Sequence, residues 1–397
     1  MRVVVVGAGI AGLALAAALT RDDARVTVLE QAHDPSPVGA GVELTPNSLR
    51  PLRRLGLGPA LDRTAVLPLS RDVLRWHDDH LLDRSPLGED QADRYGAPTL
   101  TLLRSDLHRA LREALPAGTV QTGRYVTDLL ESSDGVALRC ADGRRTHGDL
   151  AIGADGANSL MRSLLNTDRY RPARRLIYRG LAPAERVPEV CARARVNVWA
   201  GGDRYISCYP VAGGDQVSFT AAVPSGARDP GSWTAQRRIG DLAAAFGGWS
   251  PSALGLISAA EWVGVRDVHD HAPIPVWQRG RIALMGDAAH PTLPFFAQST
   301  NQALEDAVAL ASCLRGADSL TAGPALERYA AARKRRTDRL HAITREILDA
   351  LRAGGERSPE AWLRVVADAE EANADWIYGT DPADDGLRPV GADPAAG

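Results

Sequence analysis

Gly7-Ala8-Gly9-Ile10-Ala11-Gly12 is followed, eighteen residues after Gly12, by Glu30, and that spacing suits the grip on a dinucleotide. Gly7 permits a tight turn, Gly9 lets main-chain N–H groups reach phosphate oxygens at the positive end of a helix, and Gly12 lets helix and strand pack closely. A carboxylate at Glu30 can accept hydrogen bonds from a ribose. Together these residues point to an ADP-containing cofactor. Two further motifs carry chemistry. Gly153-Ala154-Asp155-Gly156-Ala157-Asn158-Ser159 has Arg162 three residues on, and Gly286-Asp287-Ala288-Ala289-His290-Pro291 has Pro294, Gln298 and Glu305-Asp306 downstream.

The elements that must position them follow from hydrophobic runs. Val3 to Val6, Val26 to Leu29, Leu150 to Ala154 and Arg281 to Met285 read as buried parallel strands. Each motif sits at the C-terminal end of such a strand, where open α/β sheets bind their ligands. Gly39 to Ser48 reads as a glycine-rich loop leading into a helix that ends near Leu55-Gly56-Leu57, and Ser105 as the N-cap of another helix. Val73 to Trp76 reads as a strand reversed at Asp78-Asp79. Asp-Gly turns at 134–135 and 142–143 mark a hairpin insertion. From about Leu176 to Val268 the alternation predicts an antiparallel sheet with one helix around Ala235 to Phe246, a candidate substrate domain. Asn301 to Leu314 reads as an amphipathic helix, with more helix to about Ala369.

The expected fold class is therefore α/β: a Rossmann-like nucleotide-binding domain over 1–72, 98–175 and 268–340, and a mainly antiparallel sheet domain over 73–97 and 176–267. C-terminal helices over 341–379 and a disordered tail over 380–397 complete the division. Met1-Arg2 and the apolar run to Leu19 could be a signal peptide, but three glycines interrupt the run at the fingerprint spacing, so the N-terminus is expected to be kept. No other apolar run is long enough to span a bilayer, and a net charge of −3 offers no basic field for nucleic acid. Cys140, Cys191, Cys208 and Cys313 lack paired spacing, which suits reduced thiols in a cytoplasm rather than disulfides or a metal site.

With these three motifs in this order, the chain resembles the single-component FAD-dependent aromatic hydroxylases of the 4-hydroxybenzoate and salicylate hydroxylase type, from Met1 to roughly Arg345. The resemblance implies that Gly7, Gly9, Ala11, Gly12 and Glu30 hold the ADP half of FAD. It implies that Asp155 and Gly156 support FAD and NADPH or NADH, that Gly286 and Asp287 hold the ribityl chain, and that Arg104 also contacts FAD. Gly41 and Val42 match the loop along the isoalloxazine edge. Gln298, Ser299 and Thr300 open a helix whose N-terminus would face the pyrimidine end of the flavin, where reduction gathers negative charge. Pro294 would shape the cavity where oxygen adds.

The implied reaction uses NAD(P)H and O2 to hydroxylate a small aromatic or heteroaromatic substrate through a flavin hydroperoxide, in a dry pocket with a group that raises the electron density of the ring. Candidates for that group are Tyr209, Tyr205, Arg179 and His271, with Phe219, Phe295 and Phe296 as further substrate contacts. Strand tyrosines and phenylalanines are also ordinary core residues, and His271 equally suits a structural histidine. Trp199, Trp249, Trp262 and Trp277 are expected to pack between the domains. Two departures from the family pattern stand out: Ser299 where relatives carry glycine, and His271 where they often carry arginine. Other flavin oxygenase chemistry, such as epoxidation, Baeyer-Villiger or decarboxylative hydroxylation, stays open, as does a flavin-binding module without catalysis. Halogenases fit poorly, since their Trp-x-Trp-x-Ile-Pro signature is missing and Lys334 is the one lysine of the chain. The expected assembly is a monomer or homodimer.

Overall fold

Four consecutive valines, whose branched side chains suit a pleated surface buried on both faces, form the centre of β1 (Arg2–Val6). The structure, a computed structural model, describes residues 1–34, 40–167, 170–225, 239–354 and 361–385. Around β1 stand β2 (Arg25–Leu29), β7 (Val120–Gln121), β11 (Leu150–Gly153), β17 (Gln278–Arg279) and β18 (Ile282–Leu284), in the order β17-β18-β11-β1-β2-β7. All neighbours run parallel except β17 with β18. The register aligns Val6 with Leu29 and with Gly153, and Gly153 with Leu284, so four strands end level. Gly7, Glu30, Ala154 and Met285 therefore leave the sheet at one edge.

A seven-stranded sheet forms the second layer, in the order β16-β12-β15-β14-β13-β4-β5. Its strands are β4 (Ser70–Arg75), β5 (Leu81–Pro86), β12 (Tyr170–Pro183), β13 (Arg195–Gly201), β14 (Arg204–Val211), β15 (Gln216–Pro224) and β16 (Trp262–His271). Pairing is antiparallel except between β13 and β4. The sheet thus begins at Ser70 and ends at His271, a few residues outside the expected segments. β8 (Val126–Ser132), β9 (Gly135–Cys140) and β10 (Arg145–Gly148) make the expected hairpin insertion. The segment expected as a glycine-rich loop holds a strand, β3 (Gly41–Leu44), paired with β6 (Leu100–Leu103). Gly39, like residues 235–238 of the expected central helix, lies outside the described residues.

The helices are α1 (Ile10–Arg21), α2 (Pro46–Arg54), α3 (Gly58–Asp62), α4 (Glu89–Tyr95), α5 (Arg104–Glu113), α6 (Leu160–Leu165), α7 (Pro188–Cys191), α8 (Ile239–Ala245), α9 (Pro251–Ser258), α10 (Gln298–Leu314), α11 (Ala322–Gly354), α12 (Ala361–Gly379) and α13 (Pro382–Asp385). Four expectations change here. α5 starts at Arg104 with Leu103 as its N-cap, so Ser105 lies inside the helix. α10 is buried nearly all round, because α1, α2 and α11 pack against it from different sides, so it is not an amphipathic surface helix. α11 runs unbroken through 340–341, leaving no boundary there. Thr380 to Asp385, expected to be disordered, is docked: Arg50 donates to the Thr380 carbonyl at 2.7 Å and Arg54 pairs with Asp381 at 2.6 Å. Residues 386–397 of the expected tail lie outside the described residues.

Alternation sorts the seven-stranded sheet into two faces. Tyr178, Trp199, Ile206, Cys208, Phe219, Val263 and Val265 point to one side and make a core with α8, α9 and Trp249. Ile177, Tyr205 and Ala222 point to the other, toward Phe295, Phe296 and α11. The tryptophans do not fill an interdomain core. Trp199 and Trp249 pack within the sheet domain, Trp277 packs in the nucleotide-binding domain, and Trp262 is half-buried on β16.

Candidate active site

At the level strand ends, the three motifs touch one another. A Cβ on Gly7 would stand 2.5 Å from the Ala154 carbonyl oxygen, and one on Gly12 would stand 2.0 Å from that of Gly7. Gly7 also has φ +105, which only glycine adopts freely. The third motif closes on the first: a Cβ on Gly286 would lie 3.1 Å from the Ala11 methyl. Arg162, buried at the second motif, donates to the Asp287 carbonyl at 3.1 Å, to the Ala288 carbonyl at 3.2 Å and to the Ala157 carbonyl. Gly7, Asp155 and Asp287 thus border one groove.

The groove fits the pyrophosphate of a dinucleotide. Gly9 caps α1 without a side chain, no acidic residue stands in the first turn, and a Cβ on Gly9 would meet nothing within 4 Å. Free N–H groups and the helix dipole are therefore open to an anion. Glu30 accepts the Ala8 and Ala32 N–H groups, each at 2.8 Å, while His108 Nε2 bonds the Ala8 carbonyl at 2.8 Å, so both sides of the Ala8 peptide are held. His108 is a residue that the sequence reading missed, although it lies three positions after the expected N-cap Ser105. Gly156, with φ +79, has nothing within 4 Å of its would-be Cβ, whereas Asp155 braces the start of α6, accepting from its N-cap Ser159 Oγ at 2.5 Å and from Met161 N–H at 3.1 Å.

Before α10 the chain passes through the left-handed region at Phe296 (φ 57) and Ala297 (φ 54). Ser299, in the first turn, donates to Asp287 Oδ1 at 2.9 Å, so the serine does not cap the helix but ties it to the aspartate loop. Thr300 Oγ1 lies 3.4 Å from Arg104 Nη1. Gln298 turns inward instead: its amide donates to Thr45 Oγ1 and the Phe296 carbonyl, each at 3.1 Å, and its side chain is buried.

Across the groove, the sheet face presents Arg179 on β12 and Arg266 on β16. Arg104 and Arg266 each feel the Asp287 carboxylate and the Arg179 guanidinium. Burial first, with repulsion from Arg179 added, holds Arg104 and Arg266 below the usual guanidinium range, and the Asp287 carboxylate only partly opposes this. Arg266 was not singled out from the sequence. The alternation Gly264-Arg266-Val268, set against Arg179 paired with Gly264, was the available signal.

Beside these residues lies a narrow apolar crevice of about 10 Å³, walled by Ile177, Tyr205, Val268, Leu293, Pro294 and Phe295, with Arg175 among its lining and Leu348 and Leu351 of α11 closing one side. Tyr209 is buried two positions along from Ser207, against Gly41. A Cβ on Gly41 would stand 2.5 Å from the Tyr209 ring, and the Gly41 N–H donates to Ser218 Oγ at 2.8 Å. That glycine makes room for the tyrosine. Val42 is buried in β3.

Three expectations are corrected by the geometry. Phe219 is fully buried on the opposite face of the sheet, among Trp199 and Phe246, and does not reach the cavity. His271 ends β16 in register with Tyr170, and alternation places it with Val263 and Val265 rather than with Arg266 and Val268. Tyr205 and Tyr209 are not bases near neutral pH, because burial pushes both phenols up; neighbouring arginines only partly oppose this.

A two-layer fold with three glycine motifs meeting at a groove of this kind defines an FAD-binding protein. Residues 1–344 match the family model described as FAD binding domain. The chain is 40% identical, over 98% of both chains, to 3-amino-4-hydroxybenzoate 2-monooxygenase PtmB3 of Streptomyces platensis. It is 33% identical to 6-hydroxynicotinate 3-monooxygenase of Bordetella bronchiseptica, over 96% of this chain and 95% of that one. Its fold matches Klebsiella pneumoniae HpxO, solved with FAD and uric acid, with a TM-score of 0.83 at 27% identity, covering 98% of this chain and 97% of that one. A salicylate hydroxylase substrate complex matches with a TM-score of 0.82 at 25% identity over 99% of each chain. The chain belongs to the FAD binding domain family and is a flavin-dependent aromatic monooxygenase.

Proposed function

We propose that this enzyme hydroxylates a small aromatic or heteroaromatic ring that carries a carboxylate and a hydroxyl group, with NADPH or NADH as reductant and O2 as co-substrate. The observation that carries the reading is that Arg179 and Arg266 stand on the same sheet face as the apolar residues Ile177 and Val268, with Arg104 and Asp287 in electrostatic reach. A positive field beside an apolar slot suits a flat anion. Relatives named for 3-amino-4-hydroxybenzoate, 6-hydroxynicotinate and 3-hydroxybenzoate act on rings of this kind.

In this reading the α1 N-terminus and Gly9 bind the pyrophosphate, Glu30 the adenosine ribose, and Asp287 the ribityl hydroxyls, with Ser299 fixing the carboxylate in place. Bound FAD would supply the electron relay from NAD(P)H and the activation of O2. Ile177, Val268, Leu293 and Phe295 exclude water, and Pro294 shapes the wall facing the flavin. Arg179 and Arg266 hold the substrate anion and lower the cost of ionising its phenol, which enriches the ring. Tyr205 and Tyr209, neutral at pH 7, orient it by hydrogen bonding. We place the protein in the cytoplasm, as a monomer or homodimer; Cys140, Cys208 and Cys313 are buried and in no disulfide, and no helix among the described residues is long and apolar enough to cross a membrane.

The test is a panel of hydroxybenzoates and hydroxynicotinates, each beside its methyl ester, assayed for stimulated NAD(P)H oxidation and for a product heavier by one oxygen atom. Stimulation by acids and not by esters is expected. Equal stimulation by neutral phenols would sink the anionic substrate class, and a yellow protein inert to the whole panel would sink catalysis.

A further inference from the structure

Behind the residues facing the groove, α10 carries a second layer of charge that the reaction does not use. Glu305, Asp306 and Arg333 are fully buried, and Arg336 nearly so. Adjacent helical positions diverge by about 100°, and the two acids accordingly serve different neighbours apart from Arg333, which donates to Asp306 through Nε and to Glu305 through Nη1 at 2.5 Å. Asp306 Oδ2 accepts the Gly286 N–H at 2.8 Å and lies 2.6 Å from His290 Nε2, while Oδ1 accepts Arg333 Nε at 2.8 Å. Glu305 accepts Arg336 at 2.7 and 2.8 Å and Asn47 Nδ2 at 2.5 Å. Arg336 in turn reaches the Trp376 and Ile377 carbonyls of α12 at 2.9 and 2.8 Å.

We propose that Asp306 is a positioning residue for the Gly286–His290 loop, setting where Asp287 stands for the flavin nucleotide, whereas Glu305 bonds no group of that loop and fastens α2 and the C-terminal helices instead. The proposal rests on the reading that Asp287 binds that nucleotide. One carboxylate holds the loop by its first N–H and by its last side chain, and His290 is fixed further by stacking on Trp277 at 5.2 Å and 18°. Between those two anchors the Asp287 carboxylate accepts a hydrogen bond from Ser299 and faces the charges of Arg104 and Arg266. Three donors converge on the two oxygens of Asp306. An asparagine there must turn an NH2 group against at least one of them, and an unmade bond inside a buried cluster is costly.

The experiment compares Asp306→Asn with Glu305→Gln in the full chain, reading FAD affinity by flavin fluorescence, the visible flavin spectrum, and thermal unfolding of the FAD-free protein. Both variants are expected to unfold at lower temperature. Asp306→Asn should also weaken FAD roughly tenfold or more and alter the flavin spectrum, while Glu305→Gln keeps FAD affinity within about twofold, as expected for one charge-assisted bond lost at the loop and none lost there in the second case. His290→Gln, which leaves both acids in place, should weaken FAD several-fold and guards against an Asp306 variant that does not fold. Equal weakening by Asp306→Asn and Glu305→Gln, or unchanged FAD affinity in both Asp306→Asn and His290→Gln, overturns the proposal. A wild-type chain that binds no FAD brings down the reading of the groove itself.

Discussion

In the function proposed above, the nucleotide groove and the sheet face opposite it would recognise in different ways. The groove works through backbone: Gly7, Gly9, Gly12 and Gly156 expose or pack main chain, and four level strand ends aim it. The sheet face offers side chains on every second residue of its strands, with Arg179, Arg266, Tyr205 and Tyr209 in one phase and Phe219 in the other. Backbone recognition forbids side chains and so writes glycine spacings into the sequence. Side-chain recognition leaves a pattern that reverses with a shift of one residue.

The largest effect should come from breaking backbone packing in the groove. Gly12→Ala places a Cβ against the Gly7 carbonyl, 2.0 Å away. A clash with main chain costs about 3 kcal/mol or more, and the purified variant should lack FAD absorbance and melt well below wild type. Gly9→Ala, with no protein atom within 4 Å, should leave the melting temperature of the FAD-free chain nearly unchanged and still weaken FAD at least roughly tenfold through the lost approach to phosphate. If Gly9→Ala melts as low as Gly12→Ala, the open side of that glycine has been misread.

On the sheet face the dissociation runs the other way. Arg266→Gln should keep FAD affinity and raise KM for the acid substrate about 10- to 100-fold, as expected for removing one charged hydrogen-bond partner. Phe219→Leu should lower stability by about 1–2 kcal/mol with KM unchanged, because its ring packs on the far side. A shift in KM from Phe219→Leu larger than that from Arg266→Gln would reverse the assignment of the two faces.

The same contrast governs what could be read from the sequence. The βαβ unit, the level strand tips and the antiparallel sheet follow from glycine spacing and hydrophobic runs. Phe219 was misplaced because its neighbour Ser218, not itself, faces β3, and composition does not fix parity. Leu348 and Leu351 close the cavity from α11, far along the chain, and as ordinary leucines on a long helix they carry no signal. Gln298 was expected at the cofactor because it opens α10, but a helix start shows a side chain to the interior as readily as to a ligand.

Smaller in size is an effect of acid. Burial alone would raise the Asp306 carboxyl, but His290 and Arg333 outweigh it and hold the group down at about 2, below its ordinary 3.8. A carboxyl depressed in the folded state contributes stability above its unfolded pKa and loses it as pH falls through the folded one. Melting temperature should therefore hold steady above about pH 4 and fall between about pH 4 and 2. The decline should be shallower in Asp306→Asn, and an equally steep decline would remove Asp306 from the account of acid sensitivity.

The smallest effect separates the two small residues that flank Gln298. Ala297 sits at φ 54, where a side chain costs about 1 kcal/mol relative to glycine, against an entropy loss of about 0.4–1 kcal/mol when glycine replaces alanine. Ala297→Gly should thus change the melting temperature by no more than about 2 °C, upward if strain wins. Ser299 has ordinary helical backbone and a bond to Asp287 at 2.9 Å, so Ser299→Gly gains no relief from strain, loses helix propensity and frees the carboxylate. It should lower the melting temperature and weaken FAD a few-fold. Both residues stand where α10 begins, but one is held by the backbone and the other holds a side chain. A rise on Ser299→Gly with a fall on Ala297→Gly would show that the serine, not the alanine, bears the strain of the turn.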